Sequence, residues 1–189
     1  MDGIKKNFGF GAMRLPMKGS EVDLDQTRQM VDTFLAEGFN YFDTARSYTD
    51  SEEKMGYALK GVRDKIWLAT KSHAQTGQAL MADLETSLRD LQTDHIDVYQ
   101  FHNPSFCPRP GGEDGLYDAA LKAKEQGKIR FISITDHRLS VAHEAIDSGL
   151  YATLQFPFSY LSGPQEQELV EKCRRADMGF IAMKGMAGG

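Results

Sequence analysis

The stretch Ile66-Trp67-Leu68-Ala69-Thr70-Lys71, then a leucine stripe at Leu80, Leu84, Leu88 and Leu91, then Ile96-Asp97-Val98-Tyr99-Gln100-Phe101-His102, reads as one strand, helix and strand in succession. The leucines recur at intervals of four, four and three, so they fall on one face of a helix and bury it. Such units repeat outward in both directions, roughly every 25 to 30 residues, which is the alternation a parallel sheet with crossover helices requires.

Toward the N-terminus a strand is expected over Tyr41-Phe42-Asp43-Thr44, preceded by a helix that starts after Asp23 with Gln26 three residues on, buries Met30, Val31, Phe34 and Leu35, and stops at Gly38. A first strand is expected from Phe8 to Leu15, and a short helix capped by Ser51 with Glu52 and Glu53 in its first turn. Toward the C-terminus the pattern predicts a helix from Asp114 to Gln126, a strand from Ile129 to Ile134 and a helix between Ser140 and Gly149. A strand over Thr153 to Phe156, a helix opened by Pro164 and closed by Gly179, and a strand from Phe180 to Met183 complete it. These amount to about seven strands and six helices in one domain spanning residues 1–189, with no linker. Periodicity alone fits either an α/β barrel or an open doubly wound sheet.

Composition narrows the partners. A formal charge of -5 leaves no basic stripe for nucleic acid, and no apolar run is long enough for a signal peptide or membrane span. Cys107 and Cys173 lack metal-ligand spacing and read as reduced thiols, so a cytoplasmic protein is expected.

The strand ends carry the chemistry. In an α/β barrel, side chains just past the C-terminal ends of the strands converge on one face. Here those positions hold Asp43, with Tyr48 in the following loop, Lys71 and His102. An ammonium beside a phenol lowers the phenol's pKa, a carboxylate keeps the ammonium placed and charged, and an imidazole can orient a carbonyl oxygen. The set suits protonation of a developing alkoxide, and because no side chain donates hydride, a nicotinamide cofactor is the economical complement. Each residue has a plainer reading: a solvated lysine or tyrosine, a capping aspartate, a histidine bracing the turn His102-Asn103-Pro104. The joint pattern on three successive strand ends carries the argument, and His73, His95, His137 and His143 are read as surface or structural. A Schiff-base aldolase using Lys71 is a rival, opposed by Asp43, which would raise the lysine pKa. A metal-dependent hydrolase lacks ligands on strand one, and a non-catalytic nicotinamide-binding or regulatory barrel stays open as an alternative.

Several motifs resemble the aldo/keto reductases. Phe42-Asp43-Thr44-Ala45-Arg46-Ser47-Tyr48, then Ser51-Glu52-Glu53 and Gly56, is similar to that family's motif around its aspartate and tyrosine. The segment Gly9 to Pro16 resembles its opening strand, Thr70-Lys71 its lysine strand and Asp97 to Asn103 its histidine strand. The resemblance implies a (β/α)8 TIM barrel, incomplete here, with Asp43, Tyr48, Lys71 and His102 as the tetrad and Tyr48 as the proton donor to an aldehyde or ketone. It implies NADPH as hydride source, with NADH as the alternative, held by Gly11, Met13, Asp43, Thr135, Asp136, Gln155, Met183 and Lys184. Two of these segments depart from the family's usual pattern, Ser133-Ile134-Thr135-Asp136 and the ending Met183 to Gly189. That ending and Phe101-His102-Asn103-Pro104 resemble a bacterial branch whose members often carry an iron-sulfur extension. The small-molecule carbonyl would contact Tyr48, His102 and Phe106, the last on a Pro- and Gly-rich loop over residues 103–115 that reads as a lid or a surface excursion. A barrel of this length is expected to lack its last βα units, which exposes sheet edges and favours self-association through the open barrel.

Overall fold

The computed structural model describes residues 3–186, so the last three residues of the ending singled out above lie outside it. Its main sheet is built from β1 (Gly9–Gly11), β4 (Tyr41–Asp43), β5 (Trp67–Ser72), β6 (Ile96–His102), β7 (Ile129–Thr135), β8 (Thr153–Pro157) and β9 (Gly179–Met183), all parallel and in sequence order. A doubly wound sheet reverses direction after its first strands, whereas this one adds every strand on the same side, which is barrel topology. Six helices follow the strands: α1 (Leu24–Ala36), α2 (Ser51–Ala58), α3 (Gly77–Asp90), α4 (Leu116–Glu125), α5 (Leu139–Ser148) and α6 (Pro164–Arg175). Among the described residues the architecture is an incomplete (β/α)8 barrel of seven parallel strands and six α-helices. None of the described helices is long and apolar enough to cross a membrane.

Two expectations are corrected. The first strand is confined to Gly9–Gly11, and the chain then turns into a hairpin of β2 (Met17–Lys18) and β3 (Glu21–Val22) instead of continuing to Leu15. The cause is Ala12, whose amide donates to Asp43 O at 2.8 Å while its carbonyl accepts from the Ser51 hydroxyl at 2.7 Å, so the backbone leaves the ladder to bridge β4 and α2. Ser51 therefore does not cap α2; Asp50 holds the N-cap position, and Ser51 is drawn inward to Ala12 and Thr44. Of the two readings open for 103–115, the structure favours the surface excursion, because the segment is fastened along its length. Arg138 Nη1 donates to Pro104 O at 3.0 Å, Arg109 pairs with Glu144 at 2.9 Å, the Gly111 amide donates to Asp118, and the Tyr151 hydroxyl donates to Pro108 O. Cys107 is buried beside Tyr151, so the segment packs as part of the surface and not as a free lid.

By contrast, Asp23 caps α1 by accepting from Gln26 N at 2.9 Å, and Gly38, at φ +83°, takes the left-handed exit for which glycine is suited. Strands β5, β6 and β8 are buried on both faces, the helices covering one side and the inside of the sheet the other. Leu68, Phe101, Ile134 and Leu154 face the helices and share one large core with Leu80, Leu84, Leu88 and Leu91. Tyr41, Trp67, Ala69 and Val98 face inward and form a second, smaller core with Ile4, Phe131 and Ile181. Two residues further along each strand, the same inward face carries Asp43, Lys71 and Gln100, so strand alternation sets polar chemistry directly above an apolar floor.

Helix α2 approaches the end of α3 through Gly56. A Cβ there would lie 2.2 Å from Asp90 O and 2.9 Å from Leu91 C, backbone atoms that cannot swing aside. Gly56→Ala is expected to lower stability by about 2 to 3 kcal/mol, the upper range for overpacking. Urea unfolding showing an unchanged midpoint would refute this close packing.

Candidate active site

Strand register brings the polar residues together. Lys71 on β5 lies opposite Gln100 on β6, and Asp43 ends β4 on the other side of β5. The Lys71 ammonium, 1% exposed, donates to Asp43 Oδ2 at 2.6 Å and to Thr44 O at 2.6 Å. Gln100 Nε2 occupies the other carboxylate oxygen at 3.1 Å, and Gln155 Nε2 approaches Oδ2 at 3.4 Å. An ammonium has three donors, so one is left, and Nζ sits 5.3 Å from the centre of the Tyr48 ring.

Tyr48 lies on a loop, but a tightly held one. Its amide donates to Ala45 O, its carbonyl accepts from Ser51 N, and Arg46 N donates to Lys71 O at 2.9 Å. Behind the loop, Arg46 pairs with Asp90 at 2.8 Å and with Glu52, itself 2% exposed and accepting from Thr70 at 2.6 Å. The Ser-Glu-Glu part of the motif thus anchors the segment that presents Tyr48. His102 ends β6 with its ring edge-on to Tyr48, centroids 5.9 Å apart, and Ser47 Oγ is 3.5 Å from its Nδ1. The structure therefore places all four residues of the expected tetrad in one site.

Their electrostatics differ from the sequence expectation. Burial raises the Tyr48 pKa to about 12, aided by the charge of Asp43, so Lys71 does not bring the phenol down. Burial also lowers the Lys71 pKa, outweighing the opposing pull of Asp43. That direction is the one a Schiff-base lysine needs, so Asp43 is not the obstacle expected; access is. The amine is enclosed and hydrogen-bonded to Asp43 and Thr44, which leaves no route for nucleophilic attack on a carbonyl. For His102, burial first and then the neighbouring His73, Lys71 and His137 lower the pKa to about 3.

Beside the tetrad a cavity of about 730 Å³ runs along β1 and β9. Gly11, Met13, Asp43, Tyr48, Gln155, Met183 and Lys184 all line it. Gln155 is 6% exposed, yet its Oε1 has no hydrogen-bond partner among the described residues. A buried free acceptor beside Tyr48 and Asp43, between Gly11 and Met183, fits the amide of a nicotinamide ring. Other expected contacts are not in the cavity wall. Thr135 is buried behind Met183, its Oγ1 4.0 Å from Sδ. Asp136 Oδ1 accepts from the His137 and Arg138 amides at 2.8 and 2.7 Å, organising the entry to α5, while Oδ2 stays unpartnered. Phe106 is 36% exposed on the fastened 103–115 segment and does not line the cavity.

Three contributors escaped the sequence. Gln100 orients Asp43, and only the inward alternation of β6 hinted at it. His73 and His137 are surface residues as expected, yet both stand beside the site: the His73 ring stacks on His102, and His137 Nε2 is 3.0 Å from Lys184 Nζ. The signal available for His73 was its place two residues after Lys71, on the same strand face.

The family model described as the aldo/keto reductase family matches residues 7–189. Methylglyoxal reductase YeaE of Escherichia coli (strain K12) is 39% identical over 158 residues, 79% of this chain and 54% of that protein. Methylglyoxal reductase DkgA of Yersinia pestis is 31% identical over 130 residues, covering 67% and 46%. Among solved structures, the holo form of an aldo-keto reductase from Bacillus halodurans matches with a TM-score of 0.84 at 28% identity, over 98% of this chain and 64% of that one. A Klebsiella pneumoniae aldo/keto reductase in complex with NADP and acetate matches with a TM-score of 0.77 at 28% identity, over 95% and 64%. The chain spans about half the length of the curated relatives it matches.

Two outcomes are expected from this geometry. Because the folded His102 pKa of about 3 lies below the ordinary 6.5, its contribution to stability is present above pH 6.5 and is lost as pH falls toward 3. Histidine NMR should show this ring neutral down to about pH 5, and a midpoint near the ordinary histidine value would contradict the burial argument. Asp43→Asn removes the partner of a buried ammonium and should cost about 3 kcal/mol or more, read by chemical unfolding.

Proposed function

Because the chain belongs to the aldo/keto reductase family, we propose that it carries the active site of an NAD(P)H-dependent reductase that converts an aldehyde or ketone to an alcohol, with Tyr48 as proton donor. The observation that carries this reading is the buried Lys71 ammonium, clamped by Asp43 and Thr44 with its remaining donor beside Tyr48. Relatives named methylglyoxal reductases make a small reactive carbonyl the first substrate class to try, and the neighbour solved with NADP favours NADPH over NADH as the cofactor to test first.

Gly11, Met13, Gln155, Met183 and Lys184 would hold the nicotinamide end of the cofactor against Tyr48. When bound, it supplies the hydride that the chain's own side chains cannot. The residues do the rest. With a pKa near 12, Tyr48 enters as a neutral phenol and therefore always has a proton to give at neutral pH. Negative charge growing on the substrate oxygen draws that proton across, and the Lys71 ammonium stabilises the phenolate left behind. Its remaining donor is already in place, so little reorganisation is needed. His102 is neutral and donates a hydrogen bond to the same oxygen from Nε2 when the Ser47 hydroxyl donates to Nδ1. It orients the carbonyl; it does not protonate it. Asp43, held on both oxygens, keeps Lys71 from turning away.

The test is a fluorescence titration with NADPH and NADH in parallel, followed by turnover of methylglyoxal by wild type and Tyr48→Phe. Removing the phenolic proton should lower turnover by about 10²- to 10⁴-fold while leaving cofactor affinity within about threefold. Full turnover by the phenylalanine variant would refute Tyr48 as the donor, and absence of binding by either cofactor would refute the reductase reading for this chain.

A further inference from the structure

Strand pairing between β5 and β6 matches Ser72 with Phe101, so the next residues, His73 and His102, stand side by side where the two strands end. Both follow the alternation of Lys71 and Gln100, two residues earlier, and so emerge on the inward face at the mouth of the site. Their rings are 3.8 Å apart and tilted by only 15°, a face-to-face stack. Held this way, the pair is more than a chance contact between surface histidines, because the backbone carrying His73 is fixed. Ser72 Oγ accepts from the Ala74 amide at 2.9 Å and donates to Asp83, and Gln75 Nε2 donates to His73 O at 2.8 Å.

His102 needs such a support. Among the described residues the one hydrogen bond to its ring is the Ser47 contact at 3.5 Å, the outer limit of a useful hydrogen bond, and Tyr48 touches it edge-on, which leaves rotation about the side chain weakly opposed. A flat ring against one face opposes that rotation directly. We propose that His73 is a positioning residue of this site: its imidazole forms a slab that sets the plane of His102 and so aims His102 Nε2 at the carbonyl oxygen held by Tyr48. A second effect follows from the same contact. Two stacked imidazoles resist carrying two charges at once, and His102 is the more buried of the two, so His73 also helps keep His102 neutral.

The inference rests on the reductase reading for its catalytic consequence, and the experiment separates the two. His73→Ala and His73→Phe are compared with wild type in NADPH-dependent reduction of methylglyoxal, while the ring protons of His102 are followed by NMR in the same three proteins. The alanine variant should lose about fivefold in kcat/KM, with the KM for NADPH unchanged, and the phenylalanine variant, which keeps a flat ring without a titratable nitrogen, should recover most of it. The His102 ring protons should show an upfield ring-current displacement in wild type and in the phenylalanine variant, and lose it in the alanine variant. Equal activity in all three proteins, or a phenylalanine variant as impaired as alanine, would overturn the positioning role. Unshifted His102 protons in wild type would overturn the stack itself. An inactive wild type with the displacement intact would overturn the reductase reading and uphold the stack.

Discussion

A buried ion pair, Lys71 to Asp43, is the interaction on which the rest of the site depends. Taking an ammonium and a carboxylate out of water costs several kcal/mol for each ion, and attraction alone rarely recovers it. Here both groups have further partners: Thr44 O takes a second lysine donor, and Gln100 takes the second carboxylate oxygen. Such a pair does little for stability beyond breaking even. What it provides is position, since it holds Lys71 Nζ 5.3 Å from the centre of the Tyr48 ring.

That arrangement places demands on the surrounding fold. Lys71 must arrive from one strand, Asp43 from the strand on one side and Gln100 from the strand on the other, all at one level. Parallel register supplies the level, and the two-residue alternation of each strand supplies the facing direction. Below them Tyr41, Trp67, Ala69 and Val98 exclude water from the inside of the sheet, which strengthens the polar contacts above. Outside the sheet, the larger core shared with the helices contributes most of the apolar burial, so chemistry and stability are divided between the two faces of the same strands. The loop carrying Tyr48 is rigid for a related reason: Arg46, Glu52, Thr70 and Asp90 form a buried charged and hydrogen-bonded bracket that ties it to α2 and α3.

Burial also governs the titration of the site, in a direction that charge counting alone does not anticipate. Desolvation overrides the opposing charge of Asp43 at Lys71 and is reinforced by neighbouring charges at Tyr48 and His102, so each is shifted toward its neutral form. The phenol thus stays protonated and the imidazole neutral, so the charge held in the site is that of the Lys71–Asp43 pair.

The amino-acid sequence by itself determined the order of strands and helices, because hydrophobic periodicity, the Asp23 cap, the Gly38 exit and the proline opening α6 are local signals carried within a few residues. It also determined that Asp43, Lys71 and His102 stand at the strand ends, because a side chain at the end of a strand is set by where the apolar run stops. Where contacts between distant segments decided the outcome, the sequence was silent or misleading. Ala12 left the first strand to bridge β4 and α2, Ser51 turned inward instead of capping, and the 103–115 segment was fastened by Arg138 and Tyr151. Gln100 and His73 were brought to Asp43 and His102 only through the register of β5 with its neighbours, which pairs residues 29 positions apart on β5 and β6. The shifted pKa values belong to the same class, since desolvation depends on how much of the whole fold closes over a group, and no local pattern encodes that.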